Sequence, residues 1–422
     1  PRVIEAKGVT IYKLKRRYAD AQAAAHLIGY LDSTKTEGVA GIEKSYDDIL
    51  RGGSLFARFA IDARGEALTG VSPEIANEDY YNTGSVRLTL DLDIQKIAEK
   101  AASRRLSAGA VVILEVGTGK ILASVSVPGF SPNSLGRSVN SEGAPLINRA
   151  FYPYNVGSVF KLIVAAAALE QGVSPATTFY CRGKLQVGNL VFNCHGKHGT
   201  IDMAGAIRDS CNLYFIELAK RIGADPIHRT ASALGFGQSR SVCRGIVPQA
   251  GTLTSLPILR DQPAALANFA FGQGDLMLTP LQIATMTAAI AGGGRAYAPS
   301  LVESAVNAAG EEVERAAQPV YTKIMSAATA QRLREYMVQV VESGTGTAAK
   351  PAEGGAGGKT GTAETGWIKD GRGVVQAWFT GFYPAADPKY AITILSEDGV
   401  SGGHSSGPVF KDIVDGIAKL KK

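Results

Sequence analysis

The chain has 422 residues, of which 45% are hydrophobic, 19% charged and 7% aromatic, with 49 glycines, four cysteines and a formal net charge of +6. That length and apolar content supply ample core and favour two or three folded units over one. The longest basic run, Lys13-Leu14-Lys15-Arg16-Arg17, gives little support for nucleic-acid binding, no stretch approaches the roughly 18 apolar residues that span a bilayer, and none resembles a signal peptide.

In chain order, residues 19–30 and 42–50 read as helices and residues 54–61 as an alternating strand, together an N-terminal module ending near Tyr81. Residues 93–105 read as a helix. Residues 110–116 and 121–127 flank Gly117-Thr118-Gly119 and predict a hairpin. Residues 151–337 are dominantly helical. Within them the run from Leu162 through Leu169, just after Ser158 and Lys161, is apolar all round and stops at Gly172, the pattern of a helix through a domain interior. Residues 207–215 read as a turn between helices. Residues 357–364, glycine-rich at their start, read as a strand beside a cleft. A second hairpin spans 377–383 and 390–396, and Pro408 opens a last helix to about Leu420. The pattern predicts an α+β fold: an antiparallel sheet sandwiched by helices, with a separate helical subdomain and a small N-terminal module.

Three short motifs in this order carry chemistry. Ser158-Val159-Phe160-Lys161 places a hydroxyl and an amine three residues apart, on one face of a helical turn. A Ser-x-x-Lys arises by chance about once in a few hundred residues, so its weight comes from the two motifs downstream of it. A serine hydroxyl is a poor nucleophile until a base takes its proton. Lys161 suits that role because burial disfavours its ammonium, and Lys359 nearby would lower its pKa further. Ser210-Cys211-Asn212 then offers a proton shuttle in Ser210 and a substrate-amide clamp in Asn212, although an isolated Ser-x-Asn is more often a helix cap. Lys359-Thr360-Gly361-Thr362 suits a carboxylate through Lys359 and Thr360. Small Gly361 admits a peptide backbone, and Thr362 lends its N–H.

These three motifs together resemble those of penicillin-binding proteins and active-site serine β-lactamases. Val86-Arg87-Leu88-Thr89-Leu90-Asp91-Leu92-Asp93-Ile94-Gln95, Asn148-Arg149-Ala150, Phe271-Gly272-Gln273-Gly274 and Leu278-Thr279-Pro280-Leu281-Gln282 extend the resemblance over most of residues 85–422. It is closest to the class B, monofunctional transpeptidase type. Arg17-Tyr18, His26-Leu27-Ile28-Gly29-Tyr30 and Gly41-Ile42-Glu43-Lys44-Ser45-Tyr46-Asp47 resemble that family's pedestal. One departure is Val156-Gly157-Ser158, where many relatives have Pro-Gly-Ser.

The resemblance implies a pedestal at 1–84 and a penicillin-binding, transpeptidase domain at 85–422. It implies peptidoglycan stem peptides as substrate and β-lactam antibiotics as acylating inhibitors, and it requires no cofactor for the chemistry. It further implies a membrane glycosyltransferase partner on the pedestal, an anchor upstream, and a place on the extracytoplasmic face of the cell membrane. In this reading Ser158 is acylated, Lys161 is the base, Ser210 relays a proton and Asn212 holds the substrate amide. Lys359, Thr360, Gly361 and Thr362 seat the substrate. Two rivals share the motifs: a hydrolase, either a D,D-carboxypeptidase or a β-lactamase, and a β-lactam sensor or wall-synthesis scaffold without turnover.

Cys181, Cys194 and Cys211 lie close in sequence to His195 and His198, while Cys243 stands apart. Cys181 and Cys194 could close a disulfide in an oxidising exterior. Alternatively Cys181, Cys194, His198 and Cys211 form a structural zinc set, Cys194-x-x-x-His198 having ligand-like spacing. Either way, Cys211 puts a thiol inside the Ser-x-Asn motif.

Overall fold

Ala110-Val111-Val112-Ile113-Leu114 is apolar at every position because both faces of its strand are covered, the pattern of a sheet buried between layers. A computed structural model describes residues 17–72, 74–78, 83–369 and 371–420. In it β1 (Gly109–Glu115), β2 (Ile121–Val127), β3 (Gly357–Lys369), β4 (Arg372–Tyr383) and β5 (Tyr390–Ser396) form one five-stranded antiparallel sheet in the order β3-β4-β5-β1-β2. The Lys-Thr-Gly strand, β3, is therefore an edge strand with one side unpaired in the sheet.

Four helices frame the sheet, α1 (Leu92–Arg105), α4 (Pro280–Ala291), α5 (Ala327–Ser343) and α6 (Gly407–Leu420), and α2 (Lys161–Glu170) and α3 (Asn212–Ile222) pack beside them. Asp91 starts α1 by accepting the N–H groups of Asp93 and Ile94, satisfying two of the donors a helix start leaves free. On one face, Ile94 and Ala98 of α1 and Val409, Phe410, Ile413 and Ile417 of α6 pack against Val111, Ile113, Phe379 and Ile394. On the other, Ile283, Met286 and Ile290 of α4 join α2, α3 and α5 in the largest core cluster. Each α2 residue from Lys161 to Ala168 is buried, as its all-round apolarity predicts.

The architecture agrees with the expected sheet sandwiched by helices, and three local expectations need correction. The region 19–30 holds only one helical turn, Ala25–Ile28, and Tyr30–Leu31 pairs with Gly38–Ala40 as a strand. Helix propensity loses there to packing: Gly29 lies in the left-handed region, and a Cβ on it would sit 1.8 Å from Ala40 O. The helix expected over 42–50 breaks into Gly41–Ser45 and Asp47–Leu50. Its break point is Tyr46, whose buried ring donates its hydroxyl to Glu314. The strand expected over 54–61 ends at Arg58, as Ser54–Arg58 pairs with Glu74–Glu78. Within the dominantly helical middle region, Phe179–Cys181 pairs with Gly199–Ile201 and Lys184–Val187 with Leu190–Asn193. Residues 1–16 and 79–82 of the N-terminal module, including Lys13 to Arg16 of the basic run, lie outside the described residues.

Candidate active site

Ser158 occupies a single 3₁₀ turn, Gly157–Phe160, that leads directly into α2 at Lys161. With three residues per turn, positions i and i+3 eclipse, so the Ser158 and Lys161 side chains leave the same edge of the helix. Two glycines let this turn dock. Gly157 has φ +63, and a Cβ on it would lie 2.6 Å from Thr362 O. Gly272, at φ +82, would drive a Cβ to 2.0 Å from Gly157 O, and the Gly157 N–H donates to Gly272 O at 2.8 Å. The Phe271-Gly272-Gln273-Gly274 motif thus holds the nucleophile turn against β3.

The Ser-x-Asn motif lies, as expected, between two helices, Met203–Arg208 and α3. The capping residue is Cys211, whose Sγ accepts the Tyr214 N–H at 3.5 Å. Ser210 has φ +58, a left-handed conformation that costs a residue with a Cβ about 1–2 kcal/mol. That conformation turns both its carbonyl and its hydroxyl toward one amine. Lys161 Nζ donates to Ser210 O at 2.6 Å and to Asn212 Oδ1 at 2.6 Å, and its contact with Ser210 Oγ is 3.3 Å. From the other side Lys359 Nζ donates to Ser210 Oγ at 2.9 Å and to Thr360 O at 3.0 Å. No hydrogen bond joins Ser158 Oγ to Lys161 Nζ among the described residues.

Lys161 and Lys359 are both fully buried. Burial pushes Lys161 from the ordinary 10.5 down to about 7, opposed chiefly by the negative character of Cys194. Burial, and then the charge of Lys161, hold Lys359 well below the ordinary lysine value. Two amines sharing one hydroxyl cannot both carry protons cheaply in a site removed from water. The site therefore contains an amine that is readily neutral near pH 7, linked through Ser210 to a second amine.

β3 places Lys359, Thr360, Gly361 and Thr362 in register with Thr380, Phe379, Trp378 and Ala377 of β4. Thr360 Oγ1 lies 2.7 Å from Thr345 Oγ1, a neighbour that sequence reasoning missed. Thr345 belongs to Ser343-Gly344-Thr345-Gly346-Thr347, a small-residue segment whose only signal was its glycines after a long helix. Also missed were two clamps on the approach to Ser158. Arg149 Nε and Tyr154 Oη both donate to Glu397 Oε1, at 2.8 and 2.6 Å. Trp378 Nε1 donates to Asn155 O at 2.7 Å, and the Asn155 N–H donates to Gln376 Oε1 at 2.6 Å.

The structure also brings together Cys181, Cys194, His198 and Cys211, whose ligand atoms all lie within 4.8 Å of one another. All four cysteines of the chain are free. His198 Nδ1 is 3.4 Å from Cys181 Sγ and 3.6 Å from Cys194 Sγ, and Cys194 Sγ is 3.8 Å from Cys211 Sγ. The contact with Cys211 draws the Cys194 thiol down, against burial, and the Asn212 N–H donating to it at 3.3 Å adds to the effect. Cys211 correspondingly holds its proton more tightly. Asn212 Nδ2 donates to Asn193 O at 3.0 Å. The cluster therefore touches the residue that receives Lys161.

Known proteins share this framework. The family described as penicillin binding protein transpeptidase domain matches residues 109–415, and that described as penicillin-binding protein dimerisation domain matches residues 2–79. The chain is 29% identical over 438 residues to stage V sporulation protein D of Bacillus subtilis, covering 99% of this chain and 65% of that protein. It is 31% identical over 431 residues to peptidoglycan D,D-transpeptidase PbpA of Mycolicibacterium smegmatis, covering 94% of this chain and 83% of that protein. The chain thus spans just under two thirds of the length of the Bacillus relative. Among solved structures, the D,D-transpeptidase domain of a peptidoglycan glycosyltransferase from Eggerthella lenta superposes with TM-score 0.79 at 28% identity, covering 99% of this chain and 95% of that one. Penicillin-binding protein A from M. tuberculosis, as its penicillin G acyl-enzyme complex, superposes with TM-score 0.76 at 29% identity, covering 93% and 92%. The chain belongs to the penicillin-binding protein transpeptidase family.

Proposed function

We propose that this protein is a peptidoglycan D,D-transpeptidase that works through an acyl-enzyme on Ser158. The observation that carries the reading is the buried relay Lys161–Ser210–Lys359 beside the nucleophile turn. As a neutral amine, Lys161 has two N–H bonds, matched by its two 2.6 Å acceptors, Ser210 O and Asn212 Oδ1. Its lone pair is then free to take a proton, and the longer Ser210 contact becomes one in which the hydroxyl donates.

Ser158 Oγ attacks the carbonyl carbon of the penultimate D-alanine of a stem peptide, and its proton passes to Lys161 Nζ. The N–H groups of Ser158 and Thr362 hold the oxyanion. The C–N bond then breaks, and the departing D-alanine amine receives the proton from Lys161 through Ser210 Oγ. Lys359, Thr360 and Thr345 hold the terminal carboxylate, and Asn212 positions the substrate amide. Gly361, expected to admit the substrate backbone, instead lets β3 close on the nucleophile turn, since a Cβ there would lie 3.0 Å from Val159 and 3.2 Å from Val156 O. An amine of a neighbouring stem attacks the Ser158 ester, the ester C–O bond breaks and Ser158 recovers its proton. The expected partners are stem peptides, β-lactams and a membrane glycosyltransferase on the N-terminal module. The expected location is the extracytoplasmic face of the cell membrane. No helix among the described residues is long and apolar enough to cross a membrane.

Incubation with benzylpenicillin should yield a long-lived adduct that peptide mapping by mass spectrometry places on Ser158. A D-alanyl-D-alanine donor with an amine acceptor should yield transfer product. Acyl transfer only to water would replace the transpeptidase reading with the hydrolase one, and absence of any adduct would leave the sensor or scaffold.

For the Cys181, Cys194, His198 and Cys211 cluster we infer a structural zinc site. Tetrahedral zinc with Zn–S about 2.3 Å and Zn–N about 2.0–2.1 Å sets sulfurs about 3.8 Å apart and sulfur to nitrogen about 3.6 Å. The spacings of 3.8, 3.4 and 3.6 Å fit that geometry. The ion would brace the Cys211–Asn212 turn and take no part in the acyl transfer. Elemental analysis is expected to find about one zinc per chain, and its removal by a chelator to lower Tm and slow acylation. Metal-free protein with unchanged acylation would remove this site.

A further inference from the structure

β3 does not stop at the reaction centre. It pairs with β4 through Glu364↔Val375, loses register, and resumes at Ile368↔Gly373, so Thr365, Gly366 and Trp367 face Val374 alone. Gly366 takes φ +75 to make this bulge. The Thr365 hydroxyl pins it, donating to Val374 O at 2.9 Å and accepting the Trp367 N–H at 3.2 Å. Bulges beside active sites bend a strand and re-aim its side chains. This one delivers Trp367 and Ile368 to solvent at 75% and 78% exposure. The chain has two tryptophans, and the other, Trp378, is fully buried. Scattered exposed apolar residues are ordinary. An adjacent pair on a hydrogen-bonded bulge, at the far end of the substrate strand, is a more specific feature.

We propose that Trp367, with Ile368, forms a saccharide subsite for the donor: its indole face stacks on the aminosugar from which the donor stem peptide hangs. The proposal rests on the reading of Ser158 as the acylated nucleophile, and the strand direction carries it. With the donor's terminal carboxylate at Lys359 and Thr360 and its reactive carbonyl opposite Thr362, the peptide runs antiparallel to β3. Its amino end therefore points toward the hairpin tip. An extended residue advances about 3.4 Å, so the three remaining residues of a pentapeptide stem reach roughly 10 Å or more beyond Thr362. Trp367 stands five positions along the same strand, roughly 17 Å if it were straight and less across the bulge. The remaining several ångströms fall to the linker between the stem and its sugar and to the shortening at the bulge, which together bring the sugar to the ring. An indole buries a large apolar face and keeps one N–H for a polar partner, a suitable surface for a pyranose with C–H groups on one face and hydroxyls at its rim.

The test compares a disaccharide-pentapeptide with the same pentapeptide lacking sugar, reading D-alanine release by the wild-type 422-residue chain, Trp367→Ala and Trp367→Tyr. The wild type is expected to favour the glycosylated donor by about tenfold in kcat/KM. Trp367→Ala should lose most of that advantage through KM while handling the bare peptide normally, and Trp367→Tyr should keep much of it. Benzylpenicillin acylation of Ser158 should be unchanged in both variants. Equal use of both donors by the wild type, or an equal loss on both in Trp367→Ala, overturns the subsite and leaves the Ser158 reading intact. Absence of a penicillin adduct on wild-type Ser158 overturns both.

Discussion

Ser158→Ala is expected to abolish the covalent β-lactam adduct and D-alanine release together, leaving a folded protein that still binds these ligands without a bond. The expectation follows from position as well as chemistry. Ser158 is buried in the 3₁₀ turn against Thr362, on the same edge as Lys161, and removing its Oγ leaves no atom there to accept the acyl group. The loss of one oxygen opens little space, so unfolding stability should change by no more than about 1 kcal/mol. Intact-protein mass spectrometry after exposure to benzylpenicillin reads the result. A surviving adduct in the variant would place the nucleophile elsewhere.

Lys161→Met is expected to slow acylation by about 10²–10⁴-fold, the range for loss of a positioned general base. In the wild type the acylation rate should rise with pH to a plateau with a midpoint near the Lys161 value of about 7, and the variant should lack that rise. The same lysine makes stability depend on pH. Its folded value lies below the ordinary 10.5, so the folded chain binds fewer protons than the unfolded chain between these limits. Stability therefore rises with pH across that window, and the cost of burying the ammonium is complete below about pH 7. Methionine carries no such cost. The Tm of the variant relative to wild type should be highest near pH 6 and fall steadily toward pH 10. A difference independent of pH would show that Lys161 is not forced toward neutrality.

The activity loss and the low-pH stability gain share a cause. A lysine whose ammonium is comfortable in the fold is a poor base, so the site accepts an unfavourable burial in return for a free lone pair. Cys194, drawn toward its thiolate, moderates that burial by favouring charge on Lys161. The state of the cysteine cluster consequently bears on Lys161 as well as on the Asn212 turn.

Much of the site was legible because its chemistry is written in neighbouring residues. Ser158 and Lys161 share a turn, Ser210 and Asn212 flank one residue, and Lys359 to Thr362 are consecutive. Cys181, Cys194, His198 and Cys211 were also singled out from the sequence, with Cys194-x-x-x-His198 as the spacing signal, and the structure draws those four together. The features that escaped notice depend on residues distant in sequence. Thr345 meets Thr360 only after α5 has turned back onto β3, and Glu397 reaches Arg149 and Tyr154 across roughly half the chain. The N-terminal helix expected over 19–30 failed for a related reason. Its alanines favour a helix locally, but the close approach of Gly29 to Ala40 decides the backbone there.

The sequence by itself determined the elements that carry the site, the family resemblance and the three reactive motifs, since apolar periodicity and local spacing are properties of contiguous residues. Tertiary structure decided how those motifs sit together: that two buried amines share Ser210, that the cysteine cluster abuts Asn212, and that Trp367 stands exposed along β3. The physical reason is that proton affinity and ligand reach depend on burial and on distances between groups far apart in the chain. Such quantities exist only once the chain has packed.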